Sequence, residues 1–160
     1  MSFFIQVCIL AIAKGLSSSC PTGLNFDLTF YVTSSTNDYL ACNSKLEAKA
    51  VLSDTKITGL TSIWDTSTTN NVYHCLLTKY FYVPGILISA SVDVFTDDTT
   101  TMFINDVKVS EITQQICFFQ SIANISSYMH QGQNKLYIDA YNNGGNGYFG
   151  YKLTIKSKLI

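Results

Sequence analysis

The sequence predicts an all-β protein, an antiparallel two-sheet β-sandwich of the jelly-roll kind with about eight to ten strands. Short runs alternate apolar and polar residues at the two-residue period of a half-buried strand, most plainly at residues 24–32 and 86–95. Turn chemistry punctuates the runs: Pro84-Gly85, Asn105-Asp106 and Asn142-Asn143-Gly144-Gly145-Asn146-Gly147. The 160 residues include 10 Tyr and 10 Phe but only 13% charged side chains, so aromatics fill the core and Ser, Thr, Asn and Gln supply much of the surface.

At the N-terminus an apolar run over residues 3–13 falls short of the roughly 20 residues that span a bilayer. Gly15, Ser17, Ser18 and Ser19 follow it. Residues 1–19 therefore read as a cleaved secretory signal, leaving a single β-sandwich domain at 20–160 with no membrane span in the mature chain. The run lacks an early basic residue and carries Lys14, so a retained N-terminal strand or buried helix is the alternative.

The first strand is residues 24–32, with Leu24, Phe26, Leu28, Phe30 and Val32 on one face. Residues 46–52 fit either a strand or a helix. Residues 56–62 and Trp64 make a short strand before a polar loop at 65–71. The aromatic and β-branched run at 72–83 stops at Pro84-Gly85, and residues 86–95 return as the next strand of a meander. Residues 102–104 and 107–109 flank a hairpin turn at Asn105-Asp106. Residues 115–120 form a strand containing Cys117, Phe118 and Phe119, and a single helical turn fits at 122–131. Residues 136–141 and 148–155 finish the sheet across the glycine-rich loop, whose residues tolerate positive φ.

Cys8 lies in the signal, leaving Cys20, Cys42, Cys75 and Cys117, an even set that fits an exported, disulfide-bonded protein. Of the three connectivities, Cys20–Cys42 with Cys75–Cys117 is the one favoured here. No pair has the close spacing of a zinc site. The sequon Asn124-Ile125-Ser126 marks Asn124 as an N-glycosylation acceptor on the surface.

Across residues 62–155 several segments carry a resemblance. They are Ile63-Trp64, Tyr80-Phe81-Tyr82-Val83-Pro84, Asp97-Asp98, Phe103-Ile104-Asn105, Asn124-Ile125-Ser126, Gly132-Gln133-Asn134 and Asn142-Asn143-Gly144-Gly145. In these the chain resembles the galactose-binding-like family of jelly rolls, common among carbohydrate-binding modules. Asp106 stands where that family usually has Gly, and Asp also suits a tight turn. The resemblance implies a glycan-binding module with its site in loops at one end of the sandwich.

Within it, Asp97 and Asp98 sit at a strand end, where their carboxylates suit Ca²⁺ or sugar hydroxyls, and Asn142 or Asn143 completes an oxygen-rich shell. The metal set is Asp97, Asp98 and Asn143, with calcium as the ion. Flocculin-type lectin domains, also sandwiches with an Asp-Asp loop, bind sugar through such a metal. The competing role for the acid pair is to cap and orient the turn through side-chain to backbone hydrogen bonds. Trp64 either stacks on a sugar ring or packs in the core. Tyr141, Tyr148 and Tyr151 flank the glycine-rich loop and are candidates for a binding rim, Tyr148 foremost. Gly132 and Asn134 read as a structural turn.

A net charge of −1 without a basic cluster excludes an electrostatic footprint for nucleic acid. Catalysis finds little inventory. His74 and Cys75 are adjacent in a strand and point to opposite faces, so they form no dyad, and His130 sits in a polar turn. No nucleophile elbow, zinc-type His pair or phosphate loop is present, and the chain is read as a non-enzyme. Two functions remain: a secreted module that binds glycans or other extracellular proteins, and a self-assembling structural subunit of an extracellular fibre, coat or wall.

Overall fold

The computed structural model describes residues 25–43, 45–65 and 73–160. The signal at 1–19, Cys20 and most of the polar loop at 65–71 lie outside the described residues. Two antiparallel sheets make a β-sandwich. The strands are β1 (Phe26–Thr33), β2 (Tyr39–Cys42), β3 (Ala48–Lys49), β4 (Val51–Leu52), β5 (Ile63–Trp64) and β6 (Tyr73–Val83). Then follow β7 (Ile86–Asp97), β8 (Thr99–Ile104), β9 (Val107–Lys108), β10 (Phe118–Ile122), β11 (Gly132–Asn142) and β12 (Tyr148–Leu159). Among the described residues eight of these exceed three residues and four have two, which accounts for the difference from the expected strand number.

The first sheet runs β10-β7-β12-β5-β4, with β1 also paired to β12, and the second runs β3-β2-β6-β11-β8-β9. Alternation works as anticipated: in β12 Phe149, Tyr151, Leu153 and Ile155 are buried, and Leu136, Ile138 and Ala140 of β11 meet them from the opposite sheet. Burial of this apolar set, at roughly 25 cal/mol per Å², is the main stabilising term.

Pro84-Gly85 does not turn a meander. Strand β6 belongs to the second sheet and β7 to the first, so the chain steps across the sandwich there. It steps back between β7 and β8 at Asp97-Asp98, and across again between β11 and β12. Gly85 has φ 69°, and a Cβ on it would lie 2.2 Å from the Lys158 carbonyl oxygen, so only glycine fits that corner. Strand β7 keeps Ala90, Val92 and Val94 inward but leaves Ile86 and Ile88 exposed at its start.

Other expectations are refined. Residues 46–52 are extended, split into β3 and β4, which join different sheets on either side of buried Ala50. Residues 56–62 hold only an Ile57–Leu60 bridge. Asn105 and Asp106 have φ 52° and 64° and turn the β8–β9 hairpin as anticipated. The single helical turn in 122–131 is a 3₁₀ turn at Ser126–Tyr128. Buried Asn134 accepts from the His130 amide and donates to the His130 and Gly132 carbonyls, which makes it the structural turn the sequence suggested.

The disulfide pairing is corrected. Cys42 and Cys75 face each other in the β2–β6 ladder and are bonded, so neither Cys20–Cys42 nor Cys75–Cys117 forms. Among the described residues Cys117 is a free, exposed thiol. It also lies outside a strand, with φ 50°, immediately before β10.

Candidate functional site

The corner between β7 and β8 is a single residue, Asp98, and its backbone is held on both sides. The Asp98 amide donates to the Tyr141 carbonyl at 2.8 Å, and the Cys117 amide donates to the Asp98 carbonyl at 3.0 Å. The peptide joining Asp97 to Asp98 is cis. Asp97 lies opposite Tyr148 in the β7–β12 ladder. Three segments, the β7–β8 corner, the loop before β10 and the β11–β12 loop, therefore meet at one end of the sandwich.

The β11–β12 loop is shaped by Asn142, whose side-chain amide donates to the Gly145 carbonyl at 3.1 Å while its oxygen accepts from the Gly144 amide at 3.3 Å. Gly144 and Gly145 have φ 129° and 77°. Asn142 is fully buried, so its expected place in a glycan or metal shell is corrected: it builds the loop from beneath. Its neighbour Asn143 is exposed and attached to the acid pair. The Asn143 amide donates to Asp98 Oδ2 at 2.5 Å, and its side-chain oxygen accepts from the Tyr141 hydroxyl at 3.2 Å.

Asp97 Oδ1 accepts from the Cys117 thiol at 2.8 Å, and oxygens of both acids and Cys117 Sγ all lie within 4.8 Å of one another. Burial holds the Asp97 carboxyl above its ordinary range; the thiol's hydrogen bond works against that, and the charge of Asp98 adds to it. Desolvation of Sγ, with the hydrogen bond and charge of Asp97, pushes the Cys117 thiol up to about 12. At neutral pH the thiol is thus protonated and donates its hydrogen bond to Asp97. Burial and then the charge of Asp97 also raise Tyr148, whose hydroxyl hydrogen-bonds that carboxylate.

Two rim candidates are corrected. Trp64 is fully buried, 5.7 Å from the ring of Tyr73 and 6.0 Å from that of Phe149, and its indole N–H donates to the Tyr73 hydroxyl at 3.1 Å. It is inaccessible to a sugar. Tyr151 is buried too, its hydroxyl bonded to Asp38 Oδ2 at 3.1 Å. The accessible aromatic surface lies elsewhere. Tyr148 stacks on Phe95 with centroids 5.7 Å apart and planes 6° from parallel, and with Ile57 and Phe119 these rings line an apolar cleft of about 520 Å³. Asn124 is exposed, its Oδ1 accepting from the Ser126 amide at 3.0 Å.

Sequence reasoning missed Cys117 as a member of this site, having assigned its sulfur to a disulfide, and missed Phe119, which was read only as strand. Nothing local signals either role, because both depend on which loop lands beside β7.

Chemically, two carboxylates and an exposed amide oxygen offer hard oxygen donors suited to a divalent cation. The protonated thiol and the Tyr148 hydroxyl are donors that hold Asp97 in place.

No family model matches the chain, and no curated protein matches it in sequence. In structure the chain is similar to the PA14 domain of MpAFP antifreeze protein, at 15% identity and TM-score 0.40, over 54% of this chain and 52% of that one. It is similar to native alfa-L-rhamnosidase from Aspergillus terreus, at 14% identity and TM-score 0.45, over 69% of this chain and 15% of that one. It is also similar to the FMN-binding β-glucuronidase from Facaelibacterium prausnitzii L2-6, at 12% identity and TM-score 0.50, over 79% of this chain and 23% of that one. The chain thus spans about half the length of the first and under a quarter of the other two. The likeness to the glucuronidase is one of fold.

Proposed function

We propose that this chain is a secreted, galactose-binding-like module that binds glycan at one end of its sandwich through a calcium ion, without catalysing a reaction. The observation that carries the reading is the meeting of Asp97 and Asp98 with Asn143 at the β7–β8 corner. Here the two carboxylates share one small volume and the Asn143 amide is fastened to Asp98.

The donor chemistry fits a hard cation. Asp97 and Asp98 would hold the ion, with Asn143 as the third oxygen donor, and Cys117 would stay outside the shell of a hard cation because its sulfur is a soft donor. A bound calcium supplies positive charge that sugar hydroxyls can ligate. The role expected of Trp64 passes to Tyr148 and Phe119, whose cleft beside the acids offers an apolar face to pyranose C–H groups. Export is supported by the Cys42–Cys75 disulfide. Among the described residues no helix is long and apolar enough to cross a membrane.

The test is retention on a glycan array in calcium and in EDTA, with wild type and Asp98→Asn. The reading requires calcium-dependent retention by wild type and its loss in Asp98→Asn. Retention indifferent to EDTA and to the substitution refutes it. Large assemblies that hold no sugar support the structural-subunit reading in its place.

A further inference from the structure

We propose that the open side of the sandwich, formed by β1 and the latter half of β6, pairs with the same side of a second copy of this chain. The product is a two-fold dimer whose β1 strands run antiparallel. The proposal goes beyond the glycan-binding reading and does not depend on it.

Strand β1 is joined to β12 along one side from Phe26 with Leu159 to Thr33 with Lys152, and the register is unbroken over all eight residues. Among the described residues no strand borders its other side. The second sheet stops at the same place. Strand β2 pairs with β6 only from Cys75 to Leu77, so among the described residues 78–83 are bordered by β11 alone. The Lys79 ammonium donates to the Thr33 carbonyl at 2.9 Å, which sets this free half of β6 across from β1. Both layers therefore end in unpaired strand backbone on one side of the molecule, a template for further strands.

Strand edges are ordinarily guarded by brevity, proline, lysine or a bulge. Strands β3, β4 and β9, at other edges, have two residues each, and β10 has five. Strand β1 has none of these guards. Its run Phe26-Asp27-Leu28-Thr29-Phe30-Tyr31-Val32-Thr33 holds one charge, no Pro, Gly or Lys, and mostly aromatic and β-branched side chains. Its inward row is also half-wet. Phe26 is 51% exposed, and Leu28 and Phe30 are only partly buried, as is Phe81 of β6. Tyr80 and Tyr82 are exposed, and with Phe81 and Gln133 they line a hollow of about 300 Å³. A strand laid along this side would remove that apolar area from water.

The occupant is a second copy because the edge complements itself. Antiparallel pairing keeps like faces together only where the two residue numbers sum to an even number. Of the near-full overlaps, the one centred on Thr29 sets Phe26 against Val32 and Leu28 against Phe30 on the inner face, and Asp27 against Tyr31 on the outer. The overlap centred on Phe30 leaves Phe26, the most exposed of the row, uncovered. Asp27 is the strand's single charge and meets no like charge from the partner strand. With residues 78–83 beside their copies in the other layer, about fourteen residues per copy take part, or roughly 900 Å² in total, the lower end for a specific dimer. Association is therefore reversible, with a dissociation constant on the order of tens of micromolar. Where glycan is bound as proposed above, antiparallel pairing turns the two Asp97–Asp98 rims to opposite ends, so the dimer bridges two sugar-bearing surfaces.

The test is sedimentation equilibrium of the full chain from about 1 to 500 µM, a range that spans weak and standard interfaces. Wild type is compared with Thr29→Lys and Thr29→Glu, each checked for native β structure by circular dichroism, alone and mixed in equal amounts. Thr29 is exposed on the outer face, so neither substitution enters the core. Wild type passes from the monomer mass to twice that mass with rising concentration. Each variant alone associates at least about tenfold more weakly, because like charges face each other across the axis. The mixture recovers dimer, which a folding defect cannot do. Phe118→Lys, on the β10 edge, leaves association unchanged. A wild type that stays monomeric throughout, a dimer indifferent to both Thr29 variants, a mixture that stays monomeric, or a dimer lost in Phe118→Lys each overturns the proposal. No sugar or calcium enters these measurements, so the glycan reading stands or falls separately.

Discussion

Gly147→Ala is the sharpest test of how the rim loop is tied to the core. A Cβ at this position would lie 2.5 Å from Trp64 Cε2, 2.7 Å from Cζ2 and 2.8 Å from Nε1. Ordinary carbon contacts begin near 3.5 Å, so the ring must retreat by about 1 Å. It has nowhere to go, because Tyr73 and Phe149 lie against it and its N–H is bonded to the Tyr73 hydroxyl. Overpacking of this kind costs about 1–3 kcal/mol, and loss of that hydrogen bond adds about 1, for a total of about 2–4 kcal/mol. For a chain of this size the melting temperature should fall by roughly 5–15 °C. Scanning calorimetry measures the shift, and Trp64, the only tryptophan, reports its own displacement by fluorescence. Gly144→Ala serves as control: its φ of 129° strains the backbone, but nothing lies within 4 Å of the added methyl. A Gly147→Ala protein melting with wild type and showing unchanged emission would falsify the packing argument.

Four further outcomes are expected. Cys117, though exposed, should react with iodoacetamide at pH 8 on the order of a hundredfold more slowly than an unfolded cysteine, because its pKa of about 12 leaves little thiolate. Labelling before and after unfolding measures this. Since the folded pKa lies above the unfolded one, the thiol's contribution to stability is present below pH ~9 and is lost as pH rises towards 12, which denaturant titrations at stepped pH will follow. Breaking the Cys42–Cys75 bond, which closes a separation of 33 residues, should cost about 4 kcal/mol by chain entropy, read from urea midpoints of the double alanine variant. Produced in a eukaryotic secretory host, the protein should show a glycosidase-sensitive mass increment that Asn124→Gln removes; an unglycosylated wild type would reject the acceptor assignment.

The inward faces of β11 and β12 were legible because a strand with one buried side must alternate, and Leu136, Ile138, Leu153 and Ile155 do so. Sheet membership was not legible. Pro84-Gly85 has the same chemistry whether the chain folds back within a sheet or crosses to the other, and only the distant partners of β6 and β7, which are β11 and β12, decide. Disulfide pairing failed for the same reason: Cys42 meets Cys75 through ladder register, a property of the whole second sheet. Asp97, Asp98 and Asn143 could be grouped at one corner because turn residues at strand ends lie at or near the surface. Trp64 and Asn142 stood in equally plausible contexts, yet a ring that fills the sandwich end and an amide that closes its own loop carry the same letters as binding residues. Cys117 reaches Asp97 only because the segment before β10 turns at φ 50°.

The ladder between β1 and β12 brings Phe26 opposite Leu159. During synthesis, β1 leaves the ribosome long before the strand it must zip onto exists, so that edge stays open until β12 has emerged. Such distant closure favours slow maturation and leaves an unpaired edge exposed meanwhile. The same adjacency suits rearranged chains in which a short linker joins β12 to β1 and new termini are cut in an exposed loop.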